Sequence, residues 1–172
     1  MMRPMILTIL MMTGSLAVPL PSGAATIVDT GPGPTDSFAA SLDPFQWLAA
    51  EFTTSDTWLV TDVQGWIRPF GAGDVAFVLY SDGGDIPGTE IFSQSLTIDP
   101  SGQAGWIGPA GLTWSIAPGT YWLAFEVRDG SSFLGAIDVP STNPLGNEAF
   151  KSGRPLEWND QDDLSLGLRI FG

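Results

Sequence analysis

The sequence predicts an all-β protein, a two-sheet antiparallel β-sandwich of about eight strands with a jelly-roll-like course. Three observations carry that expectation. Short runs rich in Val, Ile, Thr, Trp and Phe recur along the chain. The 21 glycines and 14 prolines are spread out and bound those runs. Several runs also alternate apolar and polar residues with a period of two, as a strand with one buried face requires.

The strands expected are residues 26–30, 45–53, 57–67, 75–81, 90–98, 112–116, 120–128 and 164–171. In 120–128 the set Tyr121, Leu123, Phe125 and Val127 is uniformly apolar and marks the core face, whereas Thr120, Trp122, Ala124, Glu126 and Arg128 are mixed and face outward. Leu164, Leu166, Leu168 and Ile170 point inward in the last strand, as do Leu112, Trp114 and Ile116 in theirs. In 57–67 the presence of Asp62 and Gln64 makes Trp58, Val60, Asp62, Gln64 and Trp66 the outer set and Leu59, Thr61, Val63, Gly65 and Ile67 the inner one. Residues 75–80 are apolar on both parities, as a central strand covered on both faces would be.

Residues 81–88 and Ala117-Pro118-Gly119 are Gly/Pro turns between strands. Residues 135–155 lack periodicity and read as one long loop. Gly65-Trp66-Ile67 is echoed by Gly105-Trp106-Ile107, but nothing repeats at a fixed period, which argues against a solenoid or propeller.

At 172 residues the chain has room for one ordinary domain. It has no cysteine and no histidine, and its five methionines all fall in the first twelve residues. Thiol chemistry, histidine general bases, imidazole-ligated metals and disulfide staples are therefore excluded. With 19 acidic against 6 basic residues and a net charge of -13, no cationic patch can be assembled for nucleic acid or an anionic membrane.

Residues 1–25 read as a secretory signal peptide, with Arg3, an apolar stretch over 5–20 and a small-residue exit at Gly23-Ala24-Ala25. Thr8, Thr13, Gly14, Ser15 and Pro19 interrupt that stretch, which is shorter than the roughly 20 apolar residues that span a bilayer. The expectation is an exported, extracellular domain over 26–172 without stable membrane insertion.

The order of Gln46-Trp47-Leu48, Thr61-Asp62-Val63-Gln64-Gly65-Trp66, Phe77-Val78-Leu79-Tyr80-Ser81-Asp82 running into Gly83-Gly84-Asp85, Pro118-Gly119-Thr120-Tyr121-Trp122-Leu123 and a final Leu164-Ser165-Leu166-Gly167-Leu168 resembles bacterial exported domains of the PEP-CTERM and choice-of-anchor type. That resemblance implies a jelly-roll-like sandwich in a cell-surface or matrix setting and transfers no catalytic residues. Such domains are followed by a sorting tail with Pro-Glu-Pro, a membrane helix and a basic end, which is not seen before Gly172. Release, or retention by noncovalent contacts, is the corresponding expectation.

Seven tryptophans are the main chemical signal. Trp58, Trp66 and Trp122, turned outward beside Asp62, Gln64 and Glu126, would suit sugars, whose C–H faces stack on indoles while their hydroxyls bond carboxylates and amides. The competing reading is that a loop or the second sheet covers these rings. Asp82 and Asp85 in one turn and Asp160, Asp162 and Asp163 in another are candidate ligands for a structural calcium, although neither group has the EF-hand order. No other cofactor is expected. No pair of carboxylates stands out as a glycosidase dyad, so the chain reads as a non-catalytic module binding polysaccharide or a matrix protein. A structural assembly protein is the alternative and a small glycoside-acting enzyme the third reading.

Overall fold

The computed structural model describes residues 24–33, 39–138, 140, 145–153, 156–161 and 165–172. The expected leader, apart from Ala24 and Ala25, lies outside them. The described residues form thirteen strands: β1 (Thr26–Asp29), β2 (Ala39–Leu42), β3 (Gln46–Thr54), β4 (Trp58–Gly71), β5 (Gly73–Asp82), β6 (Pro87–Ile98), β7 (Gly105–Ile107), β8 (Ala110–Ile116), β9 (Gly119–Glu126), β10 (Leu134–Asp138), β11 (Glu148–Ser152), β12 (Glu157–Asp160) and β13 (Leu168–Phe171). They build two antiparallel sheets, of seven and six strands, and so a β-sandwich.

The six-stranded sheet runs β12-β11-β3-β9-β5-β6. The seven-stranded sheet is organised around the long β4. Gly65 pairs with Leu168 across one edge and Ile107 across the other, while Ile67 pairs with Ile137 and Gly105. Strands β13 and β10 therefore lie end to end along one side of β4, and β8 and β7 along the other.

The core lies between the sheets. Leu48, Phe52, Phe77, Leu79, Leu123 and Phe125 from one sheet meet Val63, Ile67, Trp114, Ile137, Leu168 and Ile170 from the other. Of the inward sets expected, Leu112, Trp114 and Ile116, Leu123, Phe125 and Val127, and Leu166, Leu168 and Ile170 are buried and Tyr121 is half-buried, because apolar side chains at every second position can share one face only if that face is removed from water. Phe77 and Phe125 meet edge to face, with centroids 5.5 Å apart. Gly65 makes room for them, since a Cβ at that position would stand 2.8 Å from the Phe125 ring.

Three expectations are corrected. The stretch 135–155 is not one loop: it contains β11 and most of β10. Within the expected last strand, ladder pairing begins only at Leu168, and Leu164 lies outside the described residues. In β4 the inner and outer sets exchange partway along. The register with β8 shifts between Val60 and Asp62, so Val60 is buried and Leu59 is 53% exposed, whereas Val63, Gly65 and Ile67 point inward as expected. One extra residue in a strand reverses the side-chain alternation beyond it.

Candidate functional site

On β4, beyond the bulge, Asp62, Gln64, Trp66 and Arg68 share the outer face of the seven-stranded sheet, while Val63, Gly65 and Ile67 fill the core. Gln64 stands opposite Arg169 of β13, and Trp66 opposite Trp106 of β7. The two Gly-Trp-Ile tripeptides are thus paired antiparallel, Gly65 to Ile107 and Ile67 to Gly105, which sets both indoles side by side on one face.

Their ring centroids are 5.2 Å apart with planes at 64°, an edge-to-face pair. The Arg169 guanidinium stacks on Trp106 with its carbon 4.0 Å from the ring centre. Its Nε also lies 3.0 Å from Asp29 Oδ1, an ion pair whose angle is not that of a hydrogen bond.

Gly167 packs directly under Trp66, where a Cβ would come within 2.6 Å of the Trp66 Cβ, so the close seating of the indole depends on that glycine. Both tryptophans, Asp62 and Gln64 are partly exposed. Neither the Asp62 carboxylate nor the Gln64 amide has a hydrogen-bond partner among the described residues, and the Trp66 indole N–H is likewise without an acceptor there. Aromatic surface and unused polar groups therefore occur together.

The outer face of the six-stranded sheet is different. Its middle row is Ala149, Ala49, Ala124 and Val78 on adjacent strands, an almost flat floor that is fully buried. Trp158 covers this second cluster together with Ile86. The Trp158 ring lies 6.1 Å from that of Tyr80, although β12 and β5 are four positions apart in the sheet, about 19 Å if it were flat. The sheet must therefore curl over its own outer face.

Polar groups on that face are largely used. Tyr80 Oη donates to Glu126 Oε1 at 2.6 Å, Arg128 Nε to Glu126 Oε2 at 2.7 Å, and Arg128 Nη2 to Glu90 Oε2 at 2.8 Å. Burial, and then the bond to Glu126, push the Tyr80 phenol well above its ordinary range. Burial alone would raise the Glu90 carboxyl, but hydrogen bonds from Ser93 and Arg128 and the Arg128 charge outweigh it and hold the group below the usual value. Glu51 accepts from Asn147 Nδ2 at 2.7 Å, Trp47 Nε1 donates to the Val127 carbonyl at 2.9 Å, and Lys151 Nζ lies 4.8 Å from the Trp47 ring and 5.5 Å from that of Trp158.

The six residues expected as outward carbohydrate-binding groups are thus divided. Asp62, Gln64 and Trp66 stand together on the seven-stranded sheet. Trp122 and Glu126 do turn away from the main core, but they are 0% and 1% exposed beneath the curled sheet, so the expectation of exposed binding groups fails there. Trp58 shares the parity of Val60 before the bulge, packs against the core and donates its indole N–H to Thr54 Oγ1 at 2.9 Å.

Trp106 and Arg169 were not singled out from the sequence as site residues. The echoed Gly-Trp-Ile was their one available signal.

Asp82 and Asp85 are exposed in the β5–β6 turn, where Asp82 Oδ1 accepts the Gly84 N–H at 2.8 Å. Asp160 is exposed at the end of β12, and Asp162 and Asp163 lie outside the described residues. Among the described residues no three acidic groups come together as a metal site would require.

Comparison with protein-family models, with curated proteins and with solved structures finds no match to this chain.

Proposed function

We propose that the protein is a non-catalytic, exported β-sandwich module that binds polysaccharide on the outer face of its seven-stranded sheet. The observation that carries this reading is the Trp66–Trp106 pair bordered by Asp62 and Gln64, whose polar groups have no partner among the described residues. Sugar rings present apolar C–H faces and hydroxyls together, which matches adjacent indoles, carboxylate and amide. Binding of this kind requires neither a cofactor nor a pair of carboxylates spaced across a cleft. The leader-like residues 1–25 and the resemblance to exported surface domains support an extracellular matrix setting.

Isothermal titration of the purified protein against a panel of neutral and acidic polysaccharides tests the proposal. Saturable binding to at least one is expected. Gln64→Ala removes one or two hydrogen bonds and weakens that binding by about tenfold. Parallel titrations with calcium and with a chelator read whether Asp82, Asp85 and Asp160 hold an ion on which binding depends. Absence of binding across the panel contradicts the proposal.

A further inference from the structure

We infer that two copies of this chain associate edge to edge through β6, joining their six-stranded sheets into one continuous sheet. Strand β6 is twelve residues long and among the described residues pairs only with β5, so its other edge carries backbone groups without a partner there. At the opposite edge of the same sheet β12 has four residues, and in the other sheet the outer strands β1 and β2 have four each on one side and β7 and β8 have three and seven on the other. Natural edges are usually kept short, or blunted by charge, proline or a covering segment. β6 has one charged residue, Glu90, and its single proline is Pro87 at the start, so 91–98 carries neither device.

The free edge also opens onto space. A groove of about 450 Å³ runs beside Gln94, Ser95 and Leu96, and its opposite wall is built from Gly108, Ala110 and Gly111 among others. Gly111 has φ +72, which favours glycine, and nothing lies within 4 Å of where its Cβ would be. Pro109, Leu112, Thr113 and Trp114 complete that wall, so the room for a second strand along β6 lies over Gly108, Ala110 and Gly111.

The sequence of β6 selects a second copy of itself as the occupant. A two-fold axis perpendicular to the sheet and passing through Gln94 sets Phe92 against Leu96 on the inner face and Ser93 against Ser95 on the outer face, with Gln94 facing Gln94. The ladder with β5 shifts between Phe92 and Glu90, which turns Glu90 to the outer face, so the regular register covers 92–96 and the two Glu90 carboxylates lie beyond its opposite ends, roughly 20 Å or more apart. Salt at 0.1 M screens charges beyond about 10 Å, so the negative charge of the chain does not oppose this register locally.

Sedimentation equilibrium of the purified protein over a wide concentration range is the test. A reversible monomer–dimer equilibrium is expected. In Ser93→Lys/Ser95→Lys each new lysine faces a lysine of the other copy, and the dimer dissociation constant rises about tenfold or more. In Ser93→Lys/Ser95→Glu each lysine faces a glutamate, and dimerisation returns. Both side chains are exposed and both variants lose the same Ser93–Glu90 hydrogen bond, so the two should share one thermal midpoint close to that of the wild type, which checks that the fold is intact. A wild-type protein that stays monomeric at every concentration, or a double-lysine variant that dimerises like wild type, overturns the inference.

Discussion

Replacing Arg68 by methionine lowers the unfolding free energy by about 3 kcal/mol or more, among the largest effects expected of any single substitution here. Arg68 Nη2 stands 2.8 Å from both oxygens of Asp138, whose side chain is fully buried, whereas that of Arg68 is 21% exposed. Removing the guanidinium strands a carboxylate in a site that water does not reach, and most of the loss is the cost of that uncompensated charge. The pair itself contributes much less than its removal costs. The double variant Arg68→Met/Asp138→Leu should therefore recover most of the stability, because it deletes the stranded charge as well. Urea unfolding at unchanged slope measures both variants. A loss below about 0.5 kcal/mol for Arg68→Met would mean that the pair behaves as a solvated surface ion pair.

Phe125→Ala is expected to cost about 3–5 kcal/mol, since it empties the centre of the sandwich and removes the edge-to-face contact with Phe77. Coupling to Gly65 makes this prediction specific to the geometry. Gly65→Ala alone costs about 1–3 kcal/mol, because its methyl group meets the Phe125 ring and the Ile67 side chain with no room to relax. In the Phe125→Ala background that methyl projects into the cavity, and the cost of Gly65→Ala should fall or change sign. A double-mutant cycle by denaturant unfolding reads the coupling, and simple additivity would contradict the packing described.

What the sequence made legible follows from how strongly each residue set was constrained. Leu123, Phe125 and Val127, and Leu166, Leu168 and Ile170, are uniformly apolar against an opposite parity that, apart from Trp122, holds polar, charged or small residues, so they mark the inward face. Strands β2, β7, β10, β11 and β12 have three to five residues each, too few for alternation to register, and Leu134-Gly135-Ala136-Ile137-Asp138 contains the glycine and alanine that strands usually avoid. The bulge at β4 is a matter of register with β8, which no local pattern encodes, and it turned Leu59 out and Trp58 in.

Trp122 has the outward parity that the alternation predicts, yet it is buried by the curl that carries Trp158 over an alanine floor from four strands away. Contacts between strands so far apart in sequence leave no trace in the residues themselves. The paired Gly-Trp-Ile tripeptides were visible as an echo, and only the topology shows that the echo is a cross-strand pair.

The distinction that organises the account is between two outer faces. On one, Tyr80, Glu126, Arg128 and Glu90 satisfy each other beneath a covering indole. On the other, Asp62 and Gln64 keep their polar groups unused beside two partly exposed indoles. The most direct test is tryptophan fluorescence of the purified protein titrated with polysaccharide, alongside Trp106→Ala and Trp47→Phe. The account predicts a saturable spectral shift that Trp106→Ala abolishes and Trp47→Phe retains. A shift that survives Trp106→Ala and disappears in Trp47→Phe would move the binding surface to the curled sheet and contradict the site proposed.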